Sequence, residues 1–117
     1  MFENNLFKFE NLELEELSYI ENLLLGRKYH LTYTGYFYNE NSCNSKSEIS
    51  FINLIIDKID YKNINILFNL EELLYIKSLL FNKLEYYNNF IDLNEDVTFN
   101  CQIDFITDII NKLPNHN

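Results

Sequence analysis

The chain has 117 residues, 47% of them hydrophobic and 23% charged, with nine basic residues against eighteen acidic ones and a net charge of −9. A chain of this length makes one domain that buries about 65% of its extended surface, enough for a core without disulfides or metals. Two Gly, one Pro and 16% aromatic residues exclude a disordered or low-complexity protein; no apolar run approaches the ~18 residues of a membrane span, and Met1 to Asn5 lacks the basic-then-apolar pattern of a secretory signal, so the expected setting is the cytoplasm.

The composition is skewed toward residues with A/T-rich codons: nineteen Asn and fourteen Ile, with neither Ala nor Trp. Asn therefore loses part of its value as a turn signal, and missing Ala does not argue against helix. In chain order, the apolar run Leu6–Phe9 reads as a short strand or an extended staple. Leu14, Leu17, Ile20, Leu23 and Leu24 then recur at helical spacing. Tyr29 to Tyr38 combines strand-favouring aromatics and Thr with helical spacing at Tyr29, Tyr33, Tyr36 and Phe37, and is read as a continuation of that long helix. Asn39 to Ser47 is polar and aperiodic, hence a loop. Ile49, Ile52, Ile55, Ile56 and Ile59 mark a second helix.

The pattern then repeats. Ile64–Phe68 is a second short apolar run, and Asn69 with Glu72 forms a capping pair at a helix start. Leu70, Leu73, Ile76, Leu79, Leu80, Leu84 and Tyr87 carry a third helical stripe. Asp92 to Asn100 is the counterpart of the earlier loop. Ile103, Ile106, Ile109, Ile110 and Leu113 form a last helix, closed by Pro114.

The repetition extends to residue identity. Leu14–Leu24 aligns with Leu70–Leu80 at an offset of 56, with eight of eleven positions identical; Ile49–Ile59 aligns with Ile103–Leu113 at an offset of 54, with six of eleven identical. The matches occur in the same order, the signature of a tandem duplication with copies at about 1–60 and 61–117. The predicted fold is mainly α: two duplicated helical hairpins packed into a small four-helix arrangement, with short strands or staples at 6–9 and 64–68. Each hairpin is too thin to bury its own stripe, so the two share one core.

Catalytic chemistry is sparse. The only imidazoles are His30, on an aromatic helix edge, and the penultimate His116, and neither belongs to a nucleophile–base arrangement. Cys43 and Cys101 are far apart in sequence without the spacing of a zinc site; they read as free thiols, with a bridge left geometrically open. Asp92, Asn94 and Asp96 begin like a calcium loop, but Val97 stands where Gly is needed and Ile103 where a bidentate Glu is needed. Glu15/Glu16 and Glu71/Glu72 are neighbours on a helix, unable to flank a substrate, and suit the first-turn dipole. No Gly-rich phosphate loop is present. No enzyme activity, cofactor or metal is expected.

Charge is the remaining lead. Glu3 to Glu21 holds six acids and one base, and Glu85 to Asp108 holds six acids and no base, which disfavours direct nucleic-acid binding. In its size, two acid tracts, Tyr-rich helix and absence of catalytic motifs, the chain resembles the small inhibitors carried by phages and mobile elements, anti-CRISPR proteins among them. That resemblance implies a nucleic-acid mimic that occupies the basic groove of a host protein or ribonucleoprotein nuclease complex. Its contacts would be Glu10, Glu13, Glu15, Glu16 and Glu21 in one tract and Glu85, Asp92, Glu95 and Asp96 in the other, with Tyr33, Tyr36 and Tyr38 as aromatic anchors. The alternative is a structural or regulatory module, a homodimer or antitoxin-like partner, that uses whatever apolar stripe the hairpins leave uncovered.

Overall fold

The computed structural model describes residues 6–9, 11–37, 43–61, 66–94 and 97–115. The order of elements is β1 (Phe7–Phe9), α1 (Leu14–Phe37), α2 (Cys43–Lys58), β2 (Ile66–Phe68), α3 (Leu70–Asn94) and α4 (Val97–Lys112). The chain is therefore mainly helical, with four helices and one small sheet, and both expected strands are present. Two expected loops are shorter than read. Helix α2 already begins at Cys43 and α3 runs on to Asn94, so much of 39–47 and of 92–100 is helical. Neither stretch contains Gly or Pro, and polar side chains such as Lys46, Ser47 and Asn100 simply face solvent. Nothing in them stops a helix from propagating.

The duplication is visible in the core. Leu17, Ile20, Leu24, Ile52 and Ile55 are fully buried, and so are their counterparts Leu73, Ile76, Leu80, Ile106 and Ile109. Leu14 and Leu70 leave the stripe, being 54% and 42% exposed, because each opens its helix about 80° away from the core-facing arc. The strands pair antiparallel, Phe7 opposite Phe68, Lys8 opposite Leu67 and Phe9 opposite Ile66. This register is symmetric about its central pair. It equates Phe9 with Phe68 at an offset of 59, so the first copy has three extra residues between strand and helix.

Each first helix is longer than its hairpin partner, 24 residues against 16 and 25 against 16. The overhanging eight or nine residues, about 12 Å at 1.5 Å per residue, lie at the N-terminal end and reach the other copy. Tyr19 of α1 meets Phe105 of α4 edge-on at 5.3 Å, and Tyr75 of α3 meets Phe51 of α2 edge-on at 5.3 Å. The ion pairs follow the same rule. Lys112 at the end of α4 donates to Glu16 Oε1 at 2.8 Å, and Lys58 at the end of α2 donates to Glu72 Oε1 at 2.5 Å. The two halves thus clamp each other reciprocally about a pseudo-two-fold axis.

Both glutamates are buried, 3% and 2% exposed, and both cap a helix. The Glu13 amide donates to Glu16 Oε1 at 2.9 Å, and the Asn69 amide to Glu72 Oε1 at 2.9 Å. The second copy completes the capping box, with the Glu72 amide donating to Asn69 Oδ1 at 2.9 Å. Removing the lysine from such a clamp strands a buried carboxylate, whereas replacing the carboxylate by its amide keeps the cap acceptor. Lys58→Met is expected to cost about 2–3 kcal/mol and Glu72→Gln about 1 kcal/mol. The double variant should cost clearly less than the sum, a coupling that urea unfolding of all four chains measures; strict additivity would remove the clamp.

Candidate protein-interaction surface

The expected contact residues divide into three groups. Glu13, Glu15, Tyr33 and Glu85 are exposed, and Glu21 is partly exposed. Glu16 is a correction: its carboxylate is buried between the Glu13 amide and the Lys112 ammonium, so it belongs to the fold and is not available to a partner. Glu10, Tyr38, Glu95 and Asp96 lie outside the described residues, as do the side chains of Tyr36 and Asp92.

The clamp between α1 and α4 brings the acid-bearing start of α1 beside α4, which carries further acids. Glu13 and Glu15 occupy the start of α1, whereas Glu21, two turns along, points elsewhere and accepts from the Tyr61 hydroxyl beyond α2 at 3.0 Å. Exposed Asp104 and Asp108 lie on α4, the helix to which α1 is joined by Glu16–Lys112 and Tyr19–Phe105. Lys112 reports the result: its pKa is raised by the hydrogen bond to Glu16, with the fields of Glu13 and Asp108 adding to it. The equivalent α2–α3 side is different. Asn69 replaces Glu13, Lys77 replaces Glu21, Ser50 replaces Asp104 and Leu54 replaces Asp108; only Glu71 repeats its counterpart, Glu15. Asp57 against Asn111 runs the other way. Asp104 and Asp108 are absent from the expected contacts because acids on a helix that reads as half core carry no positional signal until that helix is placed beside α1.

Ion pairs tie some of the bases into the fold. Arg27, Lys58 and Lys112 are tied to Glu48, Glu72 and Glu16. Among the described residues no cluster of three or more His, Cys, Asp and Glu side chains is gathered to hold a metal, and no helix is long and apolar enough to cross a membrane. His30 is exposed, and Cys101 is an exposed free thiol.

Apolar surface accompanies the charge. On α1, Leu14, Leu25, Tyr29 and Tyr33 are exposed along one arc, with the rings of Tyr29 and Tyr33 4.5 Å apart; on α3, Leu70, Leu74 and Phe81 form the matching arc. These arcs lie away from the core stripe of each helix, so α1 and α3 are apolar on two faces.

A junction of three helices differs between the copies. Glu48 of α2 accepts from Arg27 Nε of α1 at 2.9 Å and from the Tyr75 hydroxyl of α3 at 2.6 Å. The Arg27 hydrogen bond holds the Glu48 carboxyl below the usual 4.5, while burial, then the bond to Glu48, raises the Tyr75 hydroxyl. In the second copy the equivalent positions are Lys83 and Gln102. Lys83 lies over the rings of Tyr86 and Tyr87, at 5.3 and 5.6 Å. The Tyr19 hydroxyl, equivalent to that of Tyr75, is buried without a hydrogen-bond partner among the described residues, and burial pushes its pKa up to about 12.

Two outcomes follow for stability. Tyr19→Phe removes an unsatisfied hydroxyl and should be neutral or stabilising by up to ~1 kcal/mol, whereas Tyr75→Phe should cost about 1 kcal/mol; thermal unfolding of the two variants side by side checks this. Because Glu48 has a depressed folded pKa, its contribution is present above its unfolded value and is lost as pH falls through the folded one. Stability measured downward from pH 4.5 should therefore fall less steeply in Glu48→Gln than in the parent, and parallel curves would contradict the assignment.

In comparison with known proteins, the chain matches no protein-family model, no curated protein and no solved structure.

Proposed function

We propose that this protein is an acidic protein–protein interaction module, a non-catalytic inhibitor of the phage or mobile-element type. It seats on a basic, nucleic-acid-binding groove of a host defence nuclease complex in the host cytoplasm, as anti-CRISPR-like proteins do. The observation that supports this reading most directly is the clamp that sets the start of α1, with exposed Glu13 and Glu15, beside α4, with exposed Asp104 and Asp108, residues at least 89 positions apart in the chain. A face of that sign repels nucleic acid and is steered onto basic surfaces. Carboxylates accept bidentate hydrogen bonds from Arg in the geometry that phosphates use, and Tyr29 and Tyr33 add rigid aromatic area nearby in the chain.

The reading separates from general acidity by a matched pair of variants. Glu15→Lys/Asp104→Lys reverses charge on the α1–α4 side; Asp57→Lys/Glu71→Lys makes the same change in net charge elsewhere. Binding to the nuclease complex, captured from host lysate after digestion of nucleic acid, should weaken roughly tenfold or more in the first and little in the second. Binding by the parent should also fall steeply from low to moderate salt. Equal loss in both variants, or binding indifferent to salt, would overturn it.

A second reading rests on the exposed arcs Leu14–Leu25–Tyr29–Tyr33 and Leu70–Leu74–Phe81. Arcs of this kind suit a structural or regulatory module, such as a homodimer or an antitoxin-like partner. Sedimentation as a monomer at micromolar concentration, unchanged by Leu25→Glu or Phe81→Glu, would remove the homodimer form of it.

A further inference from the structure

The surface best matched to another surface in this protein is internal. The interactions between the halves come in pairs, with the roles exchanged. Glu16 of the first half meets Lys112 of the second, and Glu72 of the second meets Lys58 of the first. Tyr19 meets Phe105, and Tyr75 meets Phe51. In the sheet, Phe7 faces Phe68 and Phe9 faces Ile66 around the central Lys8–Leu67 pair. Each half therefore presents the same constellation: a buried glutamate at the start of its first helix, a tyrosine one turn further along, a phenylalanine on its second helix and a lysine at that helix's end. A surface that complements a near-copy of itself about a two-fold axis is what defines an isologous dimer interface.

Only one covalent connection joins the halves, the seven residues between Lys58 and Ile66, which reach about 25 Å when extended. From this we infer that the inter-repeat face also accepts a second copy of this chain. The first half of one molecule closes on the second half of another, giving a reciprocally exchanged dimer of two complete globules. Each globule holds both clamps, both edge-on aromatic pairs and the strand pair. The hairpins α1–α2 and α3–α4 stay intact, so exchange restores every interaction that opening breaks. The difference between monomer and dimer then lies in the linker and in the entropy of association, which makes the exchanged form grow with protein concentration.

Charge can be arranged so that only exchange satisfies it. One chain carries Glu16→Lys/Glu72→Lys and the other Lys58→Glu/Lys112→Glu. Alone, each sets like charges against one another at both clamps. In a one-to-one exchanged dimer all four clamps hold opposite charges, two native and two inverted. Refolding the chains together should give a heterodimer of twice the 14.1 kDa chain mass by native mass spectrometry, with a higher melting midpoint than either chain alone. A dimer built on the exposed apolar arcs would instead appear equally as homodimers of each variant, and that outcome counts against exchange.

Two single-chain controls, Glu16→Lys/Lys112→Glu and Glu72→Lys/Lys58→Glu, reproduce the two globules of that heterodimer within one molecule. If they fold as monomers while the mixed chains give no heterodimer, the inference is overturned. If the controls do not fold, the parent chain decides. Tagged and untagged copies, unfolded and refolded together over a range of concentrations, should yield mixed dimers at the upper end, and monomers at every concentration would overturn the inference equally.

Discussion

The interaction on which the structure depends is a single carboxylate oxygen used twice. Oε1 of Glu16 accepts the amide that opens α1 and the ammonium that closes α4; Oε1 of Glu72 does the same for α3 and α2. A buried carboxylate is costly unless it is both paired and hydrogen-bonded, and here one atom meets both conditions. The lysines remain about one-third exposed, so their ammonium groups keep part of their hydration while discharging the acid. They also sit in the last turn of their helices, where the dipole favours a cation. The clamp ties the beginning of one half to the end of the other and leaves one way to dock two nearly identical hairpins. An apolar stripe of Leu and Ile alone would tolerate a shift by a turn; a buried charge that finds its lysine at only one position does not.

Much of this is legible in the residues. The duplication, the four helical stripes and the capping pair Asn69/Glu72 follow from spacing and identity, because a 3.6-residue period over more than ten positions has few other physical solutions. Other features are hidden for identifiable reasons. The end of α3 and the start of α4 read as loop because Asp, Asn and Glu dominate 92–100, yet polar residues without Gly or Pro permit an exposed helix. The strand equivalence is masked by the three-residue difference between strand and helix in the two copies. Glu16 reads as a surface acid because Glu13, unlike Asn69, does not announce a cap. Its counterpart Glu72 carries that signal, and extending it across the repeat places Glu16 in the interior.

The acid tracts illustrate a limit of a different kind. Net charge and its position along the chain are sequence properties, but whether the acids that open α1 lie near α4 depends on which hairpin end meets which. That choice is made by the clamp. The residues that hold the fold together thus also set Glu13 of the first half beside the Lys112 ammonium of the second, one turn along α4 from Asp108.

The two copies agree at the clamps and edge-on aromatic pairs that join them and differ at several positions outside these contacts. Glu16/Glu72, Lys58/Lys112, Tyr19/Tyr75 and Phe51/Phe105 are identical pairs, whereas Glu13/Asn69, Glu21/Lys77, Ser50/Asp104 and Leu54/Asp108 are not. The Glu48 junction, satisfied on one side and answered on the other by a Tyr19 hydroxyl without a hydrogen-bond partner among the described residues, sits at the boundary between these regimes. A symmetric interior fixes the geometry while the outer positions vary at little cost to stability. The outcome is a molecule that is nearly two-fold in its packing while several acid-bearing outer positions differ between the copies.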